Sequence, residues 1–301
     1  MQSAQPLRPA GAQAPAPPRA TRPHSRMLRR SAPTIRAYVV LLVLCVIFVT
    51  PFYWMFVTAL KTEEQLFALP PAWVPAPAVF QNFVQVFREV PFARFIGNTV
   101  YLVAWNIVGQ LIATSLVAYG FARLRFPGRN ILFLILLGTL MLPSQVTLVP
   151  QFILFAKLGW VNTYLPLIVP AFTGSPFLIF MVRQYMMTIP FDLDEAATID
   201  GANRLQILRH VILPLTAPVL MLVVVFTFVD VWNDFMGPLI YLNDPNKFTV
   251  SLGLSFFRGA RETSWHLLMA ASLMSMIPPM TLFLFAQKRL LGGLASIGIK
   301  G

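Results

Sequence analysis

The chain has 301 residues, 57% of them hydrophobic and only 11% charged, with mean hydropathy +0.69. Soluble domains carry about 25% charged residues, so an ordinary cytosolic globule and a disordered chain are excluded, and several spans of about 20 apolar residues are implied. The single cysteine, Cys45, excludes a disulfide framework, and the formal charge of +12 reads as the basic cytoplasmic side of a membrane protein, with no nucleic acid as partner.

Residues 1–36 are rich in Pro, Ala and Arg and contain no acid, which predicts a flexible basic tail. The remainder, 37–301, reads as one transmembrane domain. Its first apolar run, about Tyr38–Leu60, is too long for the core of a cleaved signal. Five further runs follow at about Thr99–Phe121, Ile131–Phe155, Tyr164–Val182, Leu215–Trp232 and Leu267–Phe285. Each is near spanning length. The fold class is therefore all-α, with six transmembrane helices and both termini on one side of the bilayer. Sixteen of the 23 Lys and Arg residues fall on the side of the termini and seven on the other. The positive-inside rule places both termini in the cytoplasm.

Prolines recur in the spans, among them Pro51, Pro143, Pro150, Pro170, Pro218, Pro278 and Pro279. Some act as packing kinks. Around Pro143 the polar pair Ser144 and Gln145 points instead to a broken helix facing a cavity. Asn106 and Gln110 lie one turn apart in the second span. With Asn233 at the end of the fifth, these five polar residues are the candidates for a substrate path.

The loop between spans four and five, 190–214, is the most informative segment. It begins Ile189-Pro190-Phe191-Asp192-Leu193-Asp194-Glu195-Ala196-Ala197 and ends Val211-Ile212-Leu213-Pro214. Asp192 with Glu195 predicts a capping box. Gly201 predicts a left-handed end to the short helix, and a second helix is expected over about 202–212. Leu193, Ala196 and Ala197 give a small apolar face on which a partner surface can approach closely.

This loop resembles the EAA motif of the permease subunits of binding-protein-dependent ABC importers. The matching positions are Glu195-Ala196-Ala197, Gly201 and Val211-Ile212-Leu213-Pro214, with Val211 where the family usually has Ile. The resemblance extends through Phe121-Ala122-Arg123-Leu124-Arg125-Phe126-Pro127-Gly128-Arg129, Met141–Pro150 and Trp232-Asn233-Asp234-Phe235. It reaches the C-terminus, with departures at Ile297 and Gly298. It is similar above all to the second permease of maltose-type systems.

The resemblance implies the type I importer permease fold and a sugar, or a solute like sn-glycerol-3-phosphate, moved into the cytoplasm across the inner membrane. Its implied partners are a second six-span permease, an ATPase dimer and an extracytoplasmic solute-binding protein, all working at a lipid bilayer. Glu195, Ala196, Ala197, Asp200, Gly201 and Pro214 would couple the spans to the ATPase. Part of 241–262 would reach the binding protein. ATP and Mg would be bound by the partner ATPase. None of the five lysines follows a glycine, so the chain has no P-loop of its own. No catalytic or metal site is expected, and no H-E-x-x-H or G-x-S-x-G occurs. The alternatives are an ABC permease for peptides or amino acids and, behind it, a secondary transporter.

Overall fold

A computed structural model of the chain describes residues 25–259 and 263–297, with side chains from 36 to 287 apart from Ser144 and 260–262. The expected tail lies largely outside the described residues. Its last part, from Ser25, is helical.

Helix α1 (Ser25–Ala59) opens the described chain. A short helix α2 (Gln81–Glu89) precedes α3 (Phe92–Arg123). Then come α4 (Arg129–Gly138), α5 (Ser144–Lys157), α6 (Pro176–Met187), α7 (Asp192–Ile199), α8 (Ala217–Asn233) and α9 (Trp265–Ile297). Among the described residues, four stretches are long and apolar enough to cross a membrane: Arg36–Ala59, Phe92–Arg123, Leu165–Met187 and Trp265–Gln287. Two bent pairs qualify together, Arg129–Met141 with Gln145–Lys157 at 100° and Arg204–Leu215 with Ala217–Asn233 at 79°. Counting each pair as one span gives the six expected from sequence.

The breaks have local causes. Leu142, ahead of Pro143, is extended with ψ 115, as a residue before proline prefers. The third span bends there, as the Pro143-Ser144-Gln145 pattern suggests. In the fourth span Gly174 has φ +80 and Ser175, ahead of Pro176, is again extended. Pro278 and Pro279, by contrast, lie within the continuous α9.

The chain divides into residues 1–52 and 53–301. In the first unit the side chains of Tyr38 to Val49 are exposed apolar groups, as a lipid-facing segment requires. In the second, α3 packs against α6, α8 and the 3₁₀ turn Val169–Thr173, α8 packs against α9, and α9 against α2. Two apolar cores result among the described residues. One joins Ala118, Ala122, Val182, Met186, Ile207 and Ile212 at the Arg123 end of α3. The other joins Val86, Phe92, Phe95, Val250, Leu267 and Ala271 at its Phe92 end.

Candidate functional site

The loop that resembles the EAA motif folds as helix α7, a turn and a second helical segment. Gly201 adopts φ +83 at the turn, and a Cβ there would meet nothing within 4 Å. The expected capping box at Asp192 does not form. Phe191 is already in the right-handed helical region, and its carbonyl accepts from the N–H groups of Asp194 and Glu195 at 2.9 and 3.1 Å. With that turn closed by backbone, Asp192 sits inside the first turn and caps nothing.

A capping box does form one segment later. Asn203 accepts from the Gln206 N–H at 3.0 Å, and the Gln206 side chain accepts from the Asn203 N–H at 2.8 Å. The second helix therefore starts at Arg204, loosens into a π turn over Leu208–Ile212 and closes at Leu213–Leu215, which contains Pro214.

Glu195, Ala196 and Asp200 are exposed, and Ala197 is half-buried against the core. Around them Leu193, Ile199 and Leu205 are exposed as well, Ile199 at 87%. The loop thus exposes several apolar side chains together with the Glu195 carboxylate.

What holds the loop was not legible from the motif. Arg123, expected in a loop, is the last residue of α3 and is buried. Its Nη1 lies 3.3 Å from the Asp194 carboxylate, and both side chains are nearly inaccessible. Its Nη2 donates to the Met186 and Ile189 carbonyls, both at 2.8 Å. Its guanidinium also lies over the Phe191 ring, 4.5 Å from the centroid. Tyr119, one turn earlier, donates its hydroxyl to the Arg204 carbonyl at 3.2 Å.

The path candidates separate. Asn106 is buried and donates to the Leu102 and Leu167 carbonyls at 2.9 and 3.0 Å. Gln110 accepts from the Ser175 N–H at 2.9 Å, beside the break at Gly174. The two thus satisfy backbone groups of the interrupted fourth span, a requirement inside a bilayer. They also line a cavity of about 380 Å³ with Ser175, Phe177, Phe226 and Asp230.

Asn233 lies on a neighbouring cavity of about 320 Å³ with Trp232, Ser251 and Ser275. Its amide donates to the Val229 carbonyl at 2.8 Å. Gln145 lines neither cavity, and the side chain of Ser144 lies outside the described residues. Asp234, just past α8, accepts from the Gly237 N–H at 3.0 Å, and burial pushes its carboxyl up.

Opposite the EAA-like loop, much of 241–250 is pinned. Asn162, at φ +60, accepts at its side-chain oxygen from the Asn243 and Asp244 N–H groups, both at 3.1 Å. Lys247 donates to the Asn162 carbonyl at 2.7 Å. Asn98 donates to the carbonyls of Asn246 and Phe248, both at 2.9 Å.

Long apolar spans, two of them bent, and a helical loop latched to their end are the build of a multi-span membrane protein. Residues 110–294 match the family described as Binding-protein-dependent transport system inner membrane component, and the chain belongs to it. The chain is 34% identical over 265 residues to the trehalose/maltose transport system permease protein MalG of Thermococcus litoralis, covering 86% of this chain and 94% of that one. It is 30% identical over 268 residues to the sn-glycerol-3-phosphate transport system permease protein UgpE of Yersinia enterocolitica, covering 86% and 95%. A crystal structure of a bacterial ABC transporter that imports the acidic polysaccharide alginate has a chain of the same fold, with TM-score 0.75, 22% identity and 91% and 99% covered. The secondary-transporter reading is not favoured: the chain is an ABC importer permease.

Proposed function

We propose that this permease moves a carbohydrate into the cytoplasm, with both its termini on the cytoplasmic side. The work comes from ATP and Mg bound in a partner ATPase dimer. A second six-span permease completes the path, and an extracytoplasmic binding protein delivers the solute. The relative named for trehalose/maltose supports this solute class.

The observation that carries the coupling assignment is the exposed surface of Leu193, Ala196, Ile199 and Leu205 beside Glu195, on a loop anchored to α3 by Arg123 and Asp194. Exposed apolar groups on such a loop suit contact with a protein or with lipid, and the exposed acids Asp192, Glu195 and Asp200 among them disfavour an anionic lipid surface. Glu195 pairs with a basic group on the ATPase, Gly201 sets the turn, and Asp200 and Pro214 bound the segment.

The test is Glu195→Lys in cells that depend on this importer. Uptake is abolished while the subunit still inserts and accumulates. Transport at the wild-type rate would remove the coupling assignment.

A further inference from the structure

Asp230 is an acid on an exposed face of an apolar span. The buried side of α8 presents Val219, Val223 and Thr227, spaced by four. Its other side exposes Phe226, Val229, Asp230 and Asn233. An ionisable group on a span is costly against hydrocarbon and faces a cavity or a partner. Here the cavity is present, and its depth is set by its other walls. Asn106 lies near the middle of α3, and Ser175 at the break within the fourth span. Among the described residues, no Lys or Arg lines this cavity or the adjoining one.

The hydrogen-bonding inventory narrows the occupant. The Asn106 amide N–H groups are spent on two carbonyls, leaving its oxygen as an acceptor. The Gln110 oxygen is spent on Ser175, leaving its NH2 as a donor. An ionised Asp230 only accepts. The hydroxyls of Ser175 and Thr227 on the same wall can donate or accept, so the cavity offers neutral donors and acceptors beside the Asp230 carboxylate. A phosphate or carboxylate would lie next to that carboxylate with no cation on the wall to offset the repulsion. A sugar hydroxyl both donates and accepts. The rings of Phe177 and Phe226, 5.9 Å apart edge to face, add apolar surface for the flat of a sugar ring.

We propose that Asp230, with Asn106, Gln110, Phe177 and Phe226, forms a subsite for a neutral, hydroxyl-rich sugar unit in the solute path, and that Asp230 turns away anionic solutes. This rests on the carbohydrate reading above and decides within it between a neutral glycan and a sugar phosphate.

The experiment uses the complete transporter in proteoliposomes, with its binding protein. The probes are maltose, trehalose, arabinotriose, sn-glycerol-3-phosphate and a dipeptide. Variants are compared at equal recovery of the assembled complex. A neutral sugar is taken up and sn-glycerol-3-phosphate is not. Asp230→Ala lowers uptake at saturating loaded binding protein about tenfold, the loss of one hydrogen bond to a charged group. ATP hydrolysed per sugar imported rises by a similar factor, which a merely structural defect would not produce. Asp230→Asn keeps an acceptor oxygen and stays within about threefold of wild type.

Unchanged uptake and stoichiometry in Asp230→Ala, or wild-type import of sn-glycerol-3-phosphate, overturns the subsite and leaves the importer reading standing. Uptake of the dipeptide with none of the sugars overturns the carbohydrate reading and the subsite together.

Discussion

Arg123 and Asp194 meet at 3.3 Å inside the protein, where the last turn of α3 touches the first turn of α7. The pair is nearly inaccessible, and neither Asp194 oxygen has a hydrogen-bond partner among the described residues. Removing one member strands a buried charge, which costs about 3–5 kcal/mol. Arg123→Ala and Asp194→Ala are therefore each expected to lower the melting temperature in detergent and to uncouple ATPase activity from uptake. The double variant Arg123→Met with Asp194→Leu, which removes both charges, should recover part of the stability, the Ile189 carbonyl still losing its Arg123 donor. A double variant as unstable as the two singles combined would show that the pair does not act as a unit.

Gly201 needs its backbone freedom and not its small size. Its φ of +83 is strained for a β-branched residue, while the space around it is open. Gly201→Val should lower solute-stimulated ATPase activity severalfold. Gly201→Asn, which tolerates the left-handed region, should stay near wild type. Equal defects in both would point to a steric role for the glycine.

Gly109 is the converse case. A Cβ there would lie 2.8 Å from the Phe172 ring and 3.1 Å from the Ala171 backbone, so α3 would have to move off the fourth span. Gly109→Ala is expected to destabilise by about 1–3 kcal/mol. Gly120→Ala, with nothing within 4 Å, should be neutral or stabilise by about 0.5–1 kcal/mol. Thermal unfolding of the two variants side by side checks both.

Gln110→Leu leaves the Ser175 N–H without its acceptor at the Gly174 break. An unmade buried hydrogen bond costs about 1–3 kcal/mol. Lower thermal stability even without solute is expected. A change seen only in solute-dependent assays would place Gln110 with the ligand alone.

The sequence was a good guide where one physical rule dominates. Hydrophobic run length located all six spans, and proline next to Ser144 and Gln145 marked the bend in the third. It was a poorer guide where two distant segments meet. Arg123 counts as one more cytoplasmic charge until α3 is seen to run far enough to bury it against Asp194. Asn106 and Gln110 read as path residues because periodicity puts them on one face. Nothing in their own segment shows that the fourth span, some 60 positions on, needs their hydrogen bonds, Gln110 at Ser175 beside the Gly174 break and Asn106 at the Leu167 carbonyl. The capping box at Asp192 failed because backbone closure at Phe191 came first, a competition that residue spacing does not reveal.

Helix α3 links three places described separately. Asn98 and Thr99 near one end hold the 246–250 segment, Asn106 and Gln110 line the cavity at its middle, and Arg123 grips α7 at the other end. At 32 residues it is about 48 Å long. A seesaw of that length, tilted by about 10° about its midpoint, swings each end by about 4 Å in opposite senses. A push of that size on the EAA-like loop would then arrive at the far surface reversed, opening one mouth of the path by the stroke that shuts the other.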